Sequence, residues 1–476
     1  MPQGLGGAKG SIVKKSLALK FNSLNKATRQ LSLSIFIGIV AGLGAIIFYG
    51  ALKLATNLFL HKIAGFYPPN AAGEGGPVGD ATIGHRALFL LSITLGSLIA
   101  GVIVFLLAPE AEGHGTDAAI SAVHNNPKGV RLRAVAVKIV ASALTIGSGG
   151  SAGREGPTAQ ISAGIGSAVA RWLNLDEVDA KLVVAVGLGS GIGAIFKAPL
   201  GGAILASEIL FASDFEISYL VPSMVASGIA YVIFCSAYGF ASVFSVPHPH
   251  FVVSIASFAL VAALGLAAGL AGVAYSKAFY FTVSLARRLK KFRYFLVVLG
   301  GFLVGLIGFI YPQDVGTGYG YLQQMIDGGG ALGKAALVIL LIGLLRIVAT
   351  SLSIGLGGSG GVFGPGVVVG GYIGASVWKL AVHIAPSLAH QEAAFIVIGM
   401  TACFGAIARA PLAMIALISE MTNTIVYVGP TLIAITVALG VVTLFGSTIY
   451  ESQLVSKEDP RTLDQAKKSK RSKATL

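Results

Sequence analysis

Long apolar runs separated by short polar segments recur along almost the whole chain. The nine clearest runs lie at 31–60, 87–108, 133–147, 215–237, 251–284, 294–311, 332–353, 363–383 and 425–446. A helix needs about 20 apolar residues to cross ~30 Å of hydrocarbon, so this pattern predicts membrane-spanning helices. Two further apolar stretches, 118–124 and 198–213, are too short to cross alone, and we expect protein or a water-filled cavity around their ends. The pattern therefore predicts one large all-α polytopic membrane domain.

Two copies of one unusual segment occur within the chain. Residues 138–157 (KIVASALTIGSGGSAGREGP) and 346–365 (RIVATSLSIGLGGSGGVFGP) are 208 positions apart and agree at 12 of 20 positions. A second echo, 193–208 against 405–420, follows at an offset of 212. Structural repeats that each hold a glycine-broken apolar helix are typical of membrane transport proteins, whose binding site lies where the repeats meet.

Composition and charge agree with a membrane protein. The chain is 55% hydrophobic and 11% charged, with a mean hydropathy of +0.82, a balance that excludes a soluble domain of this size. The net charge of +14 is concentrated before the first apolar run, after the last one and at 287–293. The positive-inside rule places all three clusters in the cytoplasm, which predicts an even number of crossings. Nucleic-acid binding is the alternative for basic tails, but the flanking membrane runs account for the charge without it.

We divide the chain into three parts on this basis. Residues 1–30 are predicted to be a cytoplasmic basic segment rather than a cleaved signal peptide, because they lack an apolar core. Residues 31–450 form the transmembrane domain, with repeats at about 87–237 and 294–447. Residues 451–476 form a cytoplasmic basic tail that is too short for a regulatory domain. The expected location is the cell membrane, with the lipid bilayer as a partner and both termini in the cytoplasm.

Enzymatic and metal chemistry find little support in the sequence. Cys235 and Cys403 are isolated in apolar stretches, which excludes a disulfide framework and a cysteine metal site. No HExxH or GxxxxGK[ST] motif occurs. An enzyme using Glu155 and His114 as acid and base is an alternative, but no nucleophile, metal or cofactor motif accompanies them. We therefore predict a protein that is not an enzyme and has no metal or cofactor.

Three glycine-rich turns, at 113–115, 153–157 and 361–365, each open onto an apolar helix. Dense glycine followed by proline breaks a helix, and the start of the next helix presents unpaired N–H groups with about +0.5 charge. If the turns converge, their backbone dipoles form an anion site without a full positive charge. Such a site lets a permeating anion both bind and leave.

The same motifs resemble those of the CLC family of chloride channels and chloride/proton antiporters. The resemblance rests on GREGP at 153–157, GGVFGP at 360–365, the Gly-x-Gly turn at 113–115 and Ile-Tyr-Glu at 449–451, and it covers about 31–455. It implies a fold of two inverted helical repeats with discontinuous helices. It also implies a homodimer with one pore per subunit, which moves chloride or a similar small anion together with protons. The short tail resembles microbial members without C-terminal regulatory domains.

The resemblance assigns roles to individual residues. Glu155 matches the external gating glutamate, whose carboxylate occupies an anion site and swings away when it is protonated. A carboxylate at membrane depth costs about 3 kcal/mol on insertion scales and is rarely idle, although a structural pair with Arg154 is the alternative. Tyr450 matches the tyrosine whose hydroxyl holds the central anion; the alternative is an interfacial tyrosine. The backbone N–H groups of Val362 and Phe363 are expected to contact the same anion. The full implied anion-binding set is His114, Gly115, Glu155, Gly156, Val362, Phe363 and Tyr450.

One departure from the family pattern concerns the first turn. The family usually has Gly-Ser-Gly-Ile-Pro, with the serine touching the anion, whereas this chain has His114 in that place. An imidazole can donate an N–H to an anion and can titrate near neutral pH. A helix cap or a packing residue is the alternative for His114. We expect Asp117 to cap the following helix or to pair with His114.

The second departure concerns protons. The internal glutamate of coupled family members would fall at Ile209, which carries no proton. Glu208 is one position away, about 100° round a helix, and its counterpart Glu420 favours a structural role for both. The missing carboxylate suggests a passive chloride channel, whereas Glu155 with Tyr450 resembles simple antiporters. We predict anion transport, most simply chloride/proton exchange gated by Glu155, with a passive channel or a fluoride or nitrate carrier as alternatives.

Overall fold

The chain is mainly α-helical in the part that the computed structural model describes, namely residues 25–75, 79 and 82–458. No β-strand occurs among these residues, and extended contacts are limited to isolated bridges. Most of the predicted basic segment 1–30 and of the tail 451–476 lies outside the described residues. Nine of the described helices are long and apolar enough to cross a membrane.

Sixteen α-helices follow one another in the described residues. They are α1 Lys26–Thr56, α2 Arg86–Leu107, α3 Thr116–Asn125, α4 Leu132–Gly147, α5 Glu155–Trp172, α6 Glu177–Ile195, α7 Pro199–Glu208, α8 Leu220–Tyr238, α9 Ile255–Arg288, α10 Arg293–Ile310, α11 Tyr319–Ile326, α12 Ala336–Gly355, α13 Phe363–Ile384, α14 Glu392–Ala408, α15 Pro411–Thr422 and α16 Val428–Leu444. Helix α1 continues into a π-helical segment, Asn57–Ile63. The helices α3, α7, α11 and α15 have 8 to 12 residues and are too short to cross a bilayer alone.

The helices correspond in two halves, with α1–α8 matching α9–α16 in order. The two repeated segments meet at their own glycines: the N–H of Gly153 donates to the carbonyl of Gly361 at 2.7 Å, and the N–H of Gly361 donates to the carbonyl of Gly153 at 2.6 Å. This pairing is antiparallel, and the two glycines are equivalent at the offset of 208. Mutual antiparallel pairing of equivalent residues places an approximate two-fold axis between them. The halves are therefore inverted repeats.

One predicted span differs from the structure. The run 133–147 forms α4, which has only 16 residues and ends at the glycine turn, so it is too short to count among the nine candidate spans. The helix Glu177–Ile195 takes its place among them, although the sequence did not single it out. Its second half, GLGSGIGAI, is rich in residues that usually break helices. Those glycines instead let neighbouring backbones approach a helix that is almost completely buried.

Candidate functional site

The three glycine turns come together at the boundary between the two repeats. The N–H of Gly113 donates to the carbonyl of Gly358 at 3.0 Å, next to the mutual pair of Gly153 and Gly361. A Cβ atom added at Gly156 would overlap the carbonyl oxygen of His114, so this close approach requires glycine. Helices α3, α5 and α13 all begin within a few residues of these contacts. Their N-termini, with the positive ends of their dipoles, therefore share one region.

Glu155 is the first residue of α5, and its side chain is fully buried. Its Oε2 accepts a hydrogen bond of 3.2 Å from the backbone N–H of Gly364 in the first turn of α13. Its Oε1 accepts a hydrogen bond from the hydroxyl of Tyr319, the first residue of α11. The carboxylate thus occupies the kind of position where a helix N-terminus binds an anion. The sequence singled out Glu155 but not Tyr319 or Gly364.

The main partner of Arg154 is not Glu155, the partner that the sequence analysis considered. Its Nη1 lies 2.5 Å from Oε1 of Glu74, in the connection between α1 and α2, whereas its Nε lies 4.0 Å from Oε1 of Glu155. The guanidinium also packs 5.0 Å from the ring centre of Tyr49. Arg154 is therefore an ion-pair partner of Glu74, while the direct hydrogen bonds to Glu155 come from elsewhere.

His114 lies at the turn that leads into α3, and only 7% of its surface is exposed. Its Nδ1 has no hydrogen-bond partner in the described part of the chain. The ring lies 5.7 Å from the ring centres of both Tyr450 and Phe279. Gly115, with a φ of +85°, is the N-cap residue of α3, and no side chain caps this helix.

The expectation for Asp117 was wrong. Asp117 does not cap α3; its carboxylate accepts hydrogen bonds of 2.7 Å from both the backbone N–H and the hydroxyl of Ser452. No ion pair between Asp117 and His114 occurs among the described residues. Asp117 therefore holds the segment that carries Tyr450 against α3.

Tyr450 and the start of α13 complete the site. Tyr450 is 1% exposed, so it lies inside the protein rather than in a lipid-facing belt, and the side chain of Thr116, the first residue of α3, lies near its hydroxyl. Val362 and Phe363 are both buried at the start of α13. The ring of Phe363 lies 4.6 Å from that of Phe404. Aromatic rings thus surround the interval between Tyr450 and the helix N-terminus.

Two cavities approach the site from different sides. The Arg154 cavity, of about 480 Å³, is bordered by Arg154, Glu74 and the turn at 316–318. The His114 cavity, of about 800 Å³, is bordered by the turn at 113–115 and by three basic side chains, Arg287, Lys290 and Arg293. Neither Glu155 nor Tyr450 borders either of these two cavities in the described part of the chain. Glu155 follows Arg154 along the chain, and the ring of Tyr450 lies 5.7 Å from that of His114, so each side chain lies behind a residue that borders one of the cavities.

Two fully buried cations, which the sequence reasoning missed, hold the turns in place. Nζ of Lys138 donates to the carbonyls of Gly113 at 2.7 Å and Ala111 at 3.1 Å. Nη2 of Arg346 donates to the carbonyls of Gly316 at 2.6 Å and Thr317 at 2.7 Å. Lys138 and Arg346 are the first residues of the two repeated segments, at the offset of 208. Buried charges need such partners, and here each one fixes the turn before a short helix.

Two positions bear on where a proton could be held, Ile209, which has no titratable group, and Glu112, which has one. Ile209 is 1% exposed at the end of α7, and its carbonyl accepts a hydrogen bond of 3.1 Å from Nε2 of Gln453. Glu112 borders the His114 cavity in the connection between α2 and α3. Burial raises the pKa of the Glu112 carboxyl above its usual range, although nearby Arg293 and Arg287 oppose that shift.

Comparison with known proteins identifies the family. A family model described as voltage gated chloride channel matches residues 96–443. The chain belongs to this family, the CLC proteins. Family membership confirms the resemblance found in the sequence, and the all-helical structure confirms the predicted fold class. CLC proteins are membrane transporters and channels, so this chain is an anion transport protein of a membrane.

Individual relatives and solved CLC structures agree with this assignment. An uncharacterized protein of Methanocaldococcus jannaschii is 31% identical over 70% of this chain and 80% of its own length. The H(+)/Cl(-) exchange transporter ClcA of Vibrio campbellii is 30% identical over 78% of this chain and 80% of its own. The structure of a slow cyanobacterial Cl-/H+ antiporter superposes with a TM-score of 0.76 at 21% identity, covering 94% of this chain and 99% of that chain. A CLC-type fluoride/proton antiporter gives 0.75 at 20% identity, covering 90% and 98%. At these identities the two structures establish the fold alone.

Proposed function

We propose that this CLC protein exchanges chloride for protons and that Glu155 is its protonatable gate. The observation that supports this proposal best is the buried Glu155 carboxylate, which accepts the N–H of Gly364 at the start of α13. While it is charged, the carboxylate occupies a place that favours an anion. A proton would remove its charge and weaken its charge-assisted hydrogen bonds, leaving that place free for chloride. The relative from Vibrio campbellii, an exchange transporter by name, supports the same function.

The central anion, in this proposal, lies between the start of α13 and Tyr450. The backbone N–H groups of Val362 and Phe363 face it from α13. Gly115 and Gly156 let the backbones of the other two turns come close. The imidazole of His114 is available to an anion because its Nδ1 has no other partner among the described residues. No resident metal or cofactor is needed for this transport.

A passive chloride channel is the second candidate. It is favoured by Ile209, which stands where the internal glutamate of coupled family members would fall and carries no proton. The neighbouring Glu208 does not replace that carrier in our proposal, because both its oxygens accept backbone N–H groups of α15. Selectivity for fluoride or nitrate is a third candidate, favoured by His114 in the place of the family serine and by a fluoride/proton antiporter of the same fold.

We further propose that the His114 cavity opens to the cytoplasm of a cell with this protein in its cell membrane. Arg287, Lys290 and Arg293 border that cavity, and the positive-inside rule assigns such a cluster to the cytoplasm. Residues 1–30 and 451–476 would lie on the same side of the membrane.

A homodimer is the assembly we propose. The short helices α7 and α15 carry Leu200 and Leu412 at equivalent positions, with 46% and 54% of their surface exposed. Both residues lie at the ends of helices that are too short to span a bilayer, together with exposed Val221 and Leu432 on α8 and α16. A second copy packed against this surface would cover it.

The test is transport by the purified protein in liposomes under opposed chloride and pH gradients. We expect the chloride gradient to drive protons uphill. The Glu155→Gln variant should stop proton movement and keep chloride flux. Glu177→Gln is the matched control, since Glu177 is likewise the first residue of a helix but is exposed. Chloride flux without proton movement in the unmodified protein would favour the passive channel, and no anion flux would overturn the proposal. Competition with fluoride and nitrate in the same assay measures selectivity.

A further inference from the structure

We infer that Tyr319 is the latch of the Glu155 gate. Its phenol hydroxyl holds the Glu155 carboxylate in the closed position and sets how readily chloride or a proton displaces it. This inference rests on the proposed function of Glu155, and it assigns a positioning role to a residue outside the motifs that identify the family.

The hydroxyl of Tyr319 lies directly against the carboxylate of Glu155. Tyr319 is 1% exposed, and its hydroxyl donates to Oε1 of Glu155. A Cβ atom added at Gly364 would lie 2.6 Å from the Tyr319 hydroxyl oxygen and 3.1 Å from Oε2 of Glu155. The glycine in the first turn of α13 thus leaves room for the phenol and the carboxylate together. The ring of Tyr319 packs edge-on against Phe244, with centres 5.5 Å apart, which fixes its direction.

The turn before Tyr319 is anchored to the turn before Glu155. Arg346 donates to the carbonyls of Gly316 and Thr317, as described above. The N–H of Gly316 donates to the carbonyl of Gly149 at 3.1 Å, and the N–H of Ala152 donates to the carbonyl of Gly316 at 3.4 Å. The backbones on both sides of the hydrogen bond are therefore tied to one another. When the gate opens, the Glu155 side chain moves and Tyr319 stays.

The internal repeat gives the same residue a counterpart. Residues 312–319 echo 109–116 at an offset of 203, with proline at the first position and glycine at the fifth and seventh. Both turns adopt positive φ at their glycines and lead into a short helix. The first residue of each helix carries a hydroxyl group: Tyr319 donates to Glu155, and Thr116 lies near the hydroxyl of Tyr450. Each repeat thus supplies one hydroxyl to one end of the transport path.

A hydroxyl that donates to a carboxylate stabilises the charged form of that carboxylate. Without it the closed state is weaker, so chloride competes better and the gate accepts a proton at higher pH. A hydrogen bond to a charged group accounts for about a tenfold change in an equilibrium. We therefore expect the Tyr319→Phe variant to move the midpoint of chloride flux against pH upward by about one pH unit. We also expect its apparent chloride affinity to rise about fivefold and fewer protons to move per chloride.

The experiment compares the unmodified protein with its Tyr319→Phe and Tyr321→Phe variants, all as full-length chains in liposomes. Chloride flux is measured across a range of pH and chloride concentrations. Tyr321 lies on the same helix, and its buried hydroxyl has no hydrogen-bond partner in the described residues, so its variant controls for loss of a phenol oxygen. A shift in Tyr319→Phe alone supports the latch. An unchanged pH profile in Tyr319→Phe overturns it.

A double variant separates a latch from a packing effect. With Glu155→Gln already present, Tyr319→Phe should change neither flux nor its pH profile, because the charged partner is gone. An equal shift in both backgrounds would overturn the inference. A protein that conducts chloride without moving protons would contradict exchange, yet the latch would still be decided by the pH profile of chloride flux. The failures of the two proposals are therefore distinguishable.

Discussion

Glu208, the last residue of α7, caps the start of α15, and Glu420, near the end of α15, caps the start of α7. The carboxylate of Glu208 accepts the N–H groups of Leu412 at 3.1 Å and Ala413 at 2.7 Å, at the start of α15. The carboxylate of Glu420 accepts those of Leu200 at 3.2 Å and Gly201 at 2.8 Å, at the start of α7. The two glutamates are equivalent at the offset of 212. Their exchange of caps fastens one repeat to the other and occupies both oxygens of each carboxylate.

Glu208→Gln tests whether this carboxylate is structural. We expect it to lower the free energy of unfolding by about 1–2 kcal/mol, because a neutral amide accepts only one of the two charge-assisted bonds. The matched variant Glu420→Gln should cost about the same. Thermal unfolding in detergent measures both, and proton transport at permissive temperature should persist. Loss of proton transport in Glu208→Gln alone, with stability unchanged, would instead make Glu208 a proton carrier.

His114→Ser restores the residue type that the family usually has in the first turn. If the imidazole contacts the anion, the ratio of chloride to nitrate or fluoride flux should change by about two- to tenfold, the equivalent of ~0.4–1.4 kcal/mol. Competition among these anions in liposomes measures the ratio. The control is His383→Ser at the exposed end of α13. Unaltered selectivity would return His114 to a packing role against Tyr450 and Phe279.

Glu74→Gln leaves Arg154 without its carboxylate partner. The change removes a negative charge near the gate and leaves a positive one 4.0 Å from Glu155, so the charged form of Glu155 is stabilised. Chloride flux should then need more acid, with its pH midpoint about half a unit lower, the direction opposite to Tyr319→Phe. Glu110→Gln, which breaks a more exposed pair with Arg131, is the control. A midpoint that rises or stays would contradict this account of Arg154.

Glu112→Gln addresses the pH dependence of anion entry through the His114 cavity. The pKa of Glu112 is raised by burial, so its carboxyl gains its negative charge only as the pH rises above the usual carboxyl range. That charge then offsets the attraction of Arg287, Lys290 and Arg293 for chloride. Apparent chloride affinity from this side should fall about two- to fivefold as the pH rises, and the fall should be absent in Glu112→Gln. Persistence of the fall in Glu112→Gln would rule this carboxyl out; Glu110→Gln, in the same connection, is again the control.

The sequence was sufficient for features that local chemistry determines. Apolar runs placed most of the long helices, and the repeat at 138–157 and 346–365 located both broken helices. Glu155 stood out because a carboxylate at membrane depth is rarely idle, and it also matched the family motif GREGP. Tyr450 was found only through the resemblance of Ile-Tyr-Glu at 449–451 to the family. The sequence raised the convergence of the turns only as a condition for an anion site, and the structure shows it in the contacts of Gly153 with Gly361 and of Gly113 with Gly358.

Contacts between residues that are far apart along the chain could not be predicted from the sequence. Ser452 reaches Asp117 across 335 positions, and so the cap expected of Asp117 was wrong. Glu74 reaches Arg154 from a connection without regular motifs. A signal for Tyr319 was present in the echo of 109–116 by 312–319, but its partner depends on how α11 packs against α5. Helix α6 was missed because its glycines look like breaks unless the packing around them is known.

The mutual hydrogen bonds of Gly153 and Gly361 have a mechanical consequence. They join the middle of one half of the protein to the middle of the other through backbone amides. A change of side chain does not remove these hydrogen-bonding groups. A displacement of the halves relative to one another would break these hydrogen bonds, together with the exchanged caps of α7 and α15. We therefore expect ions to pass when a few side chains rotate, while the backbone of the two halves stays in place.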